Sequence, residues 1–224
     1  MLCVASTRLT GVVEESNITF SGRSLDVLIS FVQYNYHKPI SYEMALSKSS
    51  DAIGDEPEIY SFTVPRASTV EQALQAFTKV NDNFDCIKDN ATLVIRPKES
   101  PLVSAKFDFN IENVSPADAY KLLNKNVLAP NKILLLTRPH IGQVAGHTLK
   151  IYESYPYISN DKMSITLKIK DASICEILDR FIEALGPDVY WSLLPTDDKG
   201  GMNLAFGRVE SPGELNSKAT TGGN

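Results

Sequence analysis

Histidines, cysteines and clustered carboxylates are the side chains best able to move protons, attack carbonyls or hold metals, so their spacing is the first test for chemistry. The chain has three histidines, His37, His140 and His147. None stands in an HxxH or HExxH arrangement. His140 and His147 flank Gly142-Gln143-Val144-Ala145-Gly146, which reads as a loop. A zinc site needs a further protein ligand at suitable spacing, and none accompanies this pair. The same glycine stretch lacks the Lys-Ser/Thr ending of a phosphate loop. Cys3, Cys86 and Cys175 form no CxxC pair, and an odd, sparse set makes no disulfide framework. Cys86 and Cys175 read instead as small core residues. The acidic run Asp51, Asp55, Glu56 and Glu58 lacks the alternating oxygen ligands of a calcium loop. It reads as a solvated loop, and Asp197-Asp198-Lys199-Gly200-Gly201 reads as a polar hairpin turn. The expectation is no catalytic residue, no cofactor and no metal ligand.

Tyrosines offer a different kind of site. Tyr34 and Tyr36 close the first amphipathic segment, and Tyr152, Tyr155 and Tyr157 surround Pro156. Tyrosine supplies large contact area with a polar tip, which suits a partner surface. These five residues are the candidate partner surface; the competing reading is packing between two halves of the molecule.

The elements that must position these residues follow from an internal repeat. Phe62–Phe77 and Leu167–Phe181 each begin with alternating apolar residues, Phe62/Val64 and Leu167/Ile169. Both continue through Ala-Ser, at Ala67-Ser68 and Ala172-Ser173. After a one-residue gap, Val70, Ala73, Leu74 and Phe77 align with Ile174, Ile177, Leu178 and Phe181. That spacing is the apolar stripe of an amphipathic helix. Ser68 and Ser173 stand where an N-cap belongs. Each helix leads into a hairpin: Phe84–Ile87 with Ala91–Ile95, and Val189–Leu194 with Met202–Phe206.

Upstream of each unit lies a looser strand–helix–strand. Ile18–Phe20, Leu25–Val32 and Ile40–Met44 supply the first. Phe107–Ile111, a helix capped by Ser115-Pro116, and Ile133–Leu136 with Thr148–Tyr152 supply the second. The expected fold is α+β: two tandem β-α-β-β-α-β-β domains produced by duplication, each a small mixed sheet on two helices. The boundaries read as an N-terminal segment 1–16, a domain 17–97, a linker 98–106, a diverged domain 107–210 and a disordered tail 211–224.

A length of 224 residues with 43% hydrophobic and 22% charged residues suits a globular chain with a proper core. Apolar runs such as Ile133–Leu136 fall far short of the ~20 residues that span a bilayer. The net charge of −5 argues against a general grip on nucleic acid, which needs clustered Lys and Arg. Met1–Ser6 carries no charged region and too short an apolar core for an entire signal peptide; the stub of a removed one is the alternative reading.

Strand, Ala-Ser, helix with Ala-Leu, and hairpin ending in apolar-Val-Ile resemble the secretin and TonB short N-terminal domain. Tyr60–Pro97 carries the resemblance at Ala67-Ser68, Ala73-Leu74 and Leu93-Val94-Ile95. The second half matches at Leu167–Phe181 and departs at the Pro139–Gly146 insertion, the Asp197–Gly201 turn and Trp191. These motifs are packing motifs and carry no chemistry. The resemblance implies a non-enzymatic protein–protein interaction or assembly module of the bacterial envelope, periplasmic, whose partner is another envelope protein or copies of itself. An enzyme with an unrecognised site and sheet-mediated nucleic-acid binding are the alternatives. On the leading reading, function sits at an uncovered sheet edge or a tyrosine surface, with no deep cleft of convergent polar groups.

Overall fold

A computed structural model describes residues 16–22, 24–44, 60–89, 92–136, 140–144, 147–152, 163–195 and 201–209. The first half runs β1 (Asn17–Gly22), α1 (Leu25–Tyr36), β2 (Ile40–Glu43), β3 (Tyr60–Pro65), α2 (Val70–Val80), β4 (Phe84–Asp89) and β5 (Thr92–Pro97). The second runs β6 (Phe107–Val114), α3 (Pro116–Leu123), β7 (Ile133–Leu135), β8 (His140–Val144), β9 (His147–Tyr152), β10 (Ile165–Ala172), α4 (Ile174–Leu185), β11 (Val189–Pro195) and β12 (Met202–Arg208). The fold is mixed α+β, and the expected element order recurs in both halves with the β8–β9 hairpin inserted in the second.

Strand pairing recurs too. β1 pairs antiparallel with β3, and β6 with β10. β4–β5 and β11–β12 are antiparallel hairpins, and β2 and β7 lie parallel to β5 and β12. The halves do not stand apart with a small sheet each. β2 also pairs in parallel with β11, through Tyr42↔Ser192 and Glu43↔Leu193, giving one six-stranded sheet in the order β4-β5-β2-β11-β12-β7. Without β11, the far edge of β2 would leave backbone donors and acceptors unpaired.

Side chains alternate across a strand, so each central strand serves both faces. Ile40, Tyr42, Leu93, Ile95 and Tyr190 join one core with α1 and α2; Val94, Trp191 and Leu193 join the other with α3 and α4. The two helix pairs therefore cover opposite faces of the shared sheet. Phe20, Phe62 and Val64 of the β1–β3 ribbon complete the first core, and Phe109, Ile111 and Ile165 of β6–β10 the second. Leu74, Phe77, Leu178 and Phe181 are fully buried, as their stripe predicts. Gly207 sits opposite Tyr190, whose ring lies so close that a Cβ at 207 would collide with it.

Local chemistry sets the helix starts. Ser173 accepts from the Glu176 amide while the Glu176 carboxylate accepts from the Ser173 amide, a capping box. In the first half the cap is Thr69 rather than Ser68, because Gln72 stands three residues on and closes the same reciprocal pair. Ser115 caps α3 with Pro116 in its first turn. Residues 98–106 are no free tether: Leu102 is buried, and the Ser100 hydroxyl donates to Glu43 at 2.8 Å. Residues 1–15 and 211–224 lie outside the described residues.

Candidate functional site

The ends of the six-stranded sheet are β4 and β7. Each pairs with a neighbour on one side only among the described residues. Lys98 N–H donates to Asn83 O at 2.9 Å, which sets the phase of the β4–β5 ladder. Asp85 and Ile87 then bond inward to β5, while Cys86 and Lys88 turn their backbone groups outward; the outward N–H of Phe84 donates to Asn81 O at 3.1 Å. Pro97, which has no N–H, stands opposite Phe84, consistent with that phase. At the other end, β7 is entirely apolar, and Leu134 is 62% exposed. Ile133 and Leu135 face the second core, so Leu134 projects from the face that α1 and α2 cover.

Where the halves meet, polar groups are drawn inside. Trp191 is fully buried, and its indole N–H donates to the buried Asp179 carboxylate at 2.7 Å. Its backbone N–H donates to the Ser41 hydroxyl at 3.2 Å, and Met44 N–H donates to Leu193 O at 2.9 Å. Glu43, also buried, has one carboxylate oxygen bonded to Ser100 and the other without a hydrogen-bond partner. Burial raises its pKa above the ordinary carboxyl value, against the opposing pull of Ser100 and the Arg96 charge.

A cleft of about 320 Å³ opens beside the start of α4, lined by Arg96, Lys106, Ser173, Cys175, Glu176 and Asp179 among others. This departs from the expectation of no cleft with convergent polar groups. Most of those groups already have work: Ser173 and Glu176 close the helix cap, Lys106 pairs with Glu176 at 3.0 Å, and Asp179 holds Trp191. Burial pushes the Cys175 thiol up to about 12, with the Glu43 and Asp179 charges adding to it, and pushes Cys86 up to about 11. Both thiols stay protonated at neutral pH and are poor nucleophiles.

The tyrosines separate. Tyr34 is 40% exposed at the end of α1, its ring 6.2 Å from that of His37. Tyr36 turns inward and stacks on Phe20 at 6.0 Å, with a buried hydroxyl that lacks a hydrogen-bond partner. Tyr152 ends β9, and Tyr155 and Tyr157 lie outside the described residues. His140 and His147, expected in a loop, lie in paired strands, opposite Tyr152 and Val144. Among the described residues no helix is long and apolar enough to cross a membrane. Sequence reasoning missed Glu43, Asp179 and the β2–β11 joint. The one cue was polar Ser41 and Glu43 alternating with apolar Ile40 and Tyr42 in a strand flanked by buried elements. No family model, curated protein or solved structure matches the chain.

Proposed function

We propose that the chain is a non-enzymatic protein–protein interaction or assembly module of the bacterial cell envelope, acting in the periplasm by strand addition at an end of its six-stranded sheet. The observation that carries this reading is the pair of edges: β7 is an apolar strand with Leu134 exposed, and β4 turns alternate backbone groups outward. A partner strand laid along such an edge gains main-chain hydrogen bonds, and alternate side chains supply selectivity. The envelope setting and the choice of partner, another envelope protein or further copies of the chain, rest on the resemblance to secretin and TonB short N-terminal domains. The net charge of −5 disfavours nucleic acid as that partner. Among the described residues, the raised thiol pKa values of Cys86 and Cys175 and the engaged groups of the cleft support a binding role over an enzymatic one.

The test is capture by the full immobilised chain, using envelope extract and the purified chain itself as baits' counterparts. Capture should weaken strongly for Leu134→Lys or Lys88→Pro and persist for Tyr34→Ala. Capture that ignores both edge variants and is lost with Tyr34→Ala would move the site to the α1 end.

A further inference from the structure

The joint between the halves is itself a worked example of how this sheet extends. The equivalents of β2 and β11 in the recurring strand order are β7 and β4, the two strands at the ends of the sheet, each without an outer neighbour among the described residues. Strand direction can be followed across the sheet. β5, β2 and β11 run one way, and β4, β12 and β7 run the other. β7 and β4 thus point in the same direction. A second copy shifted along the hydrogen-bonding direction brings its β4 beside β7 in parallel, the relation that β2 already has with β11.

A second observation agrees. Leu134 and Val80 are the most exposed large apolar side chains among the described residues, at 62% each. Leu134 projects from the α1–α2 face at one end of the sheet. Val80 closes α2, which covers β4 on that same face at the opposite end, through Phe77 and Phe84. The shift that joins β7 to β4 also brings an exposed leucine toward the helix that carries the exposed valine. Burying the two side chains against each other's surroundings would be favourable.

We infer that the chain self-associates head to tail, β7 of one copy pairing in parallel with β4 of the next, as a continuation of the β2–β11 joint. This rests on the interaction reading above and names its partner as a second copy. The contact is heterologous: the two surfaces differ, and each copy that joins presents a fresh β7 or β4. Six strands advance about 29 Å per copy. Sheet twist of about 20–25° per strand turns successive copies by roughly 120–150°, so the product is a twisted filament rather than a flat ribbon.

The experiment is sedimentation velocity on the full chain over a wide concentration range, with two edge variants. Leu134→Lys places a charge on β7 at an already exposed position. Lys88→Pro removes an outward N–H from β4 without touching the β4–β5 ladder. Circular dichroism first confirms that each variant keeps the wild-type fold; Leu134→Glu and Cys86→Pro serve if either does not. The wild type should grow with concentration through dimer to species beyond it. Each variant alone should remain monomeric. Mixed together, they should form a one-to-one dimer that stops there, because Leu134→Lys retains a good β4 and Lys88→Pro a good β7. A wild type that is monomeric throughout, a closed dimer that never extends, or variants that assemble like wild type would each overturn the inference. A monomeric wild type that still captures a different envelope protein through the same edges would refute self-association alone and leave the interaction reading standing.

Discussion

β2 and β7 hold the same place in the two halves, each parallel to the second strand of its hairpin, yet their far sides differ. β2 is buried along its whole length, and its polar residues Ser41 and Glu43 are engaged by Trp191 and Ser100 of other elements. β7 is apolar throughout and leaves Leu134 in water. The polar strand has its second partner inside the chain; among the described residues the apolar one has none on its outer side. Backbone pairing and a covering helix from the neighbouring half are enough to draw even a carboxylate into the interior. The same topology without that neighbour leaves an edge that invites one.

The largest expected effect is at the joint. Trp191→Ala removes a fully buried indole together with its hydrogen bond to Asp179, and should cost about 3–5 kcal/mol in chemical denaturation. Trp191→Phe keeps most of the packing but removes the indole hydrogen bond to Asp179, at about 1–3 kcal/mol. Cys86 faces Ile95 as Trp191 faces Phe206, and is only half-buried, so Cys86→Ala should cost ~1 kcal/mol or less. Equal costs at the two positions would erase the contrast between the joined and open sides.

Next come Leu74→Ala and Leu178→Ala, each in a fully buried stripe and each worth about 2–5 kcal/mol. A shared sheet couples the halves, so both variants should shift one common transition, whether read from Trp191 fluorescence or from backbone circular dichroism. Two separated transitions, with Leu74→Ala moving only the one to which Trp191 is blind, would mean that the halves fold independently.

Glu43 sharpens the comparison through pH. Its pKa is raised in the folded chain, so the folded state holds the proton more tightly than the unfolded one. Its favourable contribution is complete below the ordinary carboxyl value and is lost as pH rises through the raised one. Denaturation midpoints across that window should fall with rising pH in the wild type and fall less in Glu43→Gln. An unchanged slope would show that burial of this carboxylate does not bear on stability.

The smallest effects are at the caps. Thr69→Ala and Ser173→Ala should each cost about 1 kcal/mol. Glu176 behaves oppositely to Glu43: the Ser173 amide and hydroxyl and Lys106 hold its pKa down to about 2. Its contribution is present above the ordinary carboxyl value and lost as pH falls toward about 2. Glu176→Gln should therefore flatten the acid limb of the stability curve and leave the limb governed by Glu43 in place.

What the sequence revealed divides along the same line. Helix periodicity is local, so the stripes of α2 and α4, their buried leucines and phenylalanines, and the hairpins behind them could be read from spacing alone. The cap of α2 was off by one residue because Ser68 and Thr69 are both good caps, and the deciding group, Gln72, lies on the helix beyond. The β2–β11 pairing joins residues about 150 positions apart, in a four-residue strand, and no local pattern encodes it. For the same reason Tyr36 looked like surface: nothing within its own helix indicates that Phe20 of β1 stacks on it. Long-range pairing decides which edges are closed, and so which are available for function.

Hydrogen–deuterium exchange on the full chain, followed as it associates with itself or with a captured partner, tests that claim most directly. The account predicts that amides in β7, Ile133–Leu135, or β4, Phe84–Asp89, gain protection on association, both together in the self-associated form, while the β2–β11 joint is protected from the outset. Protection gained only around Tyr34 or the cleft beside α4, with both end strands exchanging as freely as before, would contradict it.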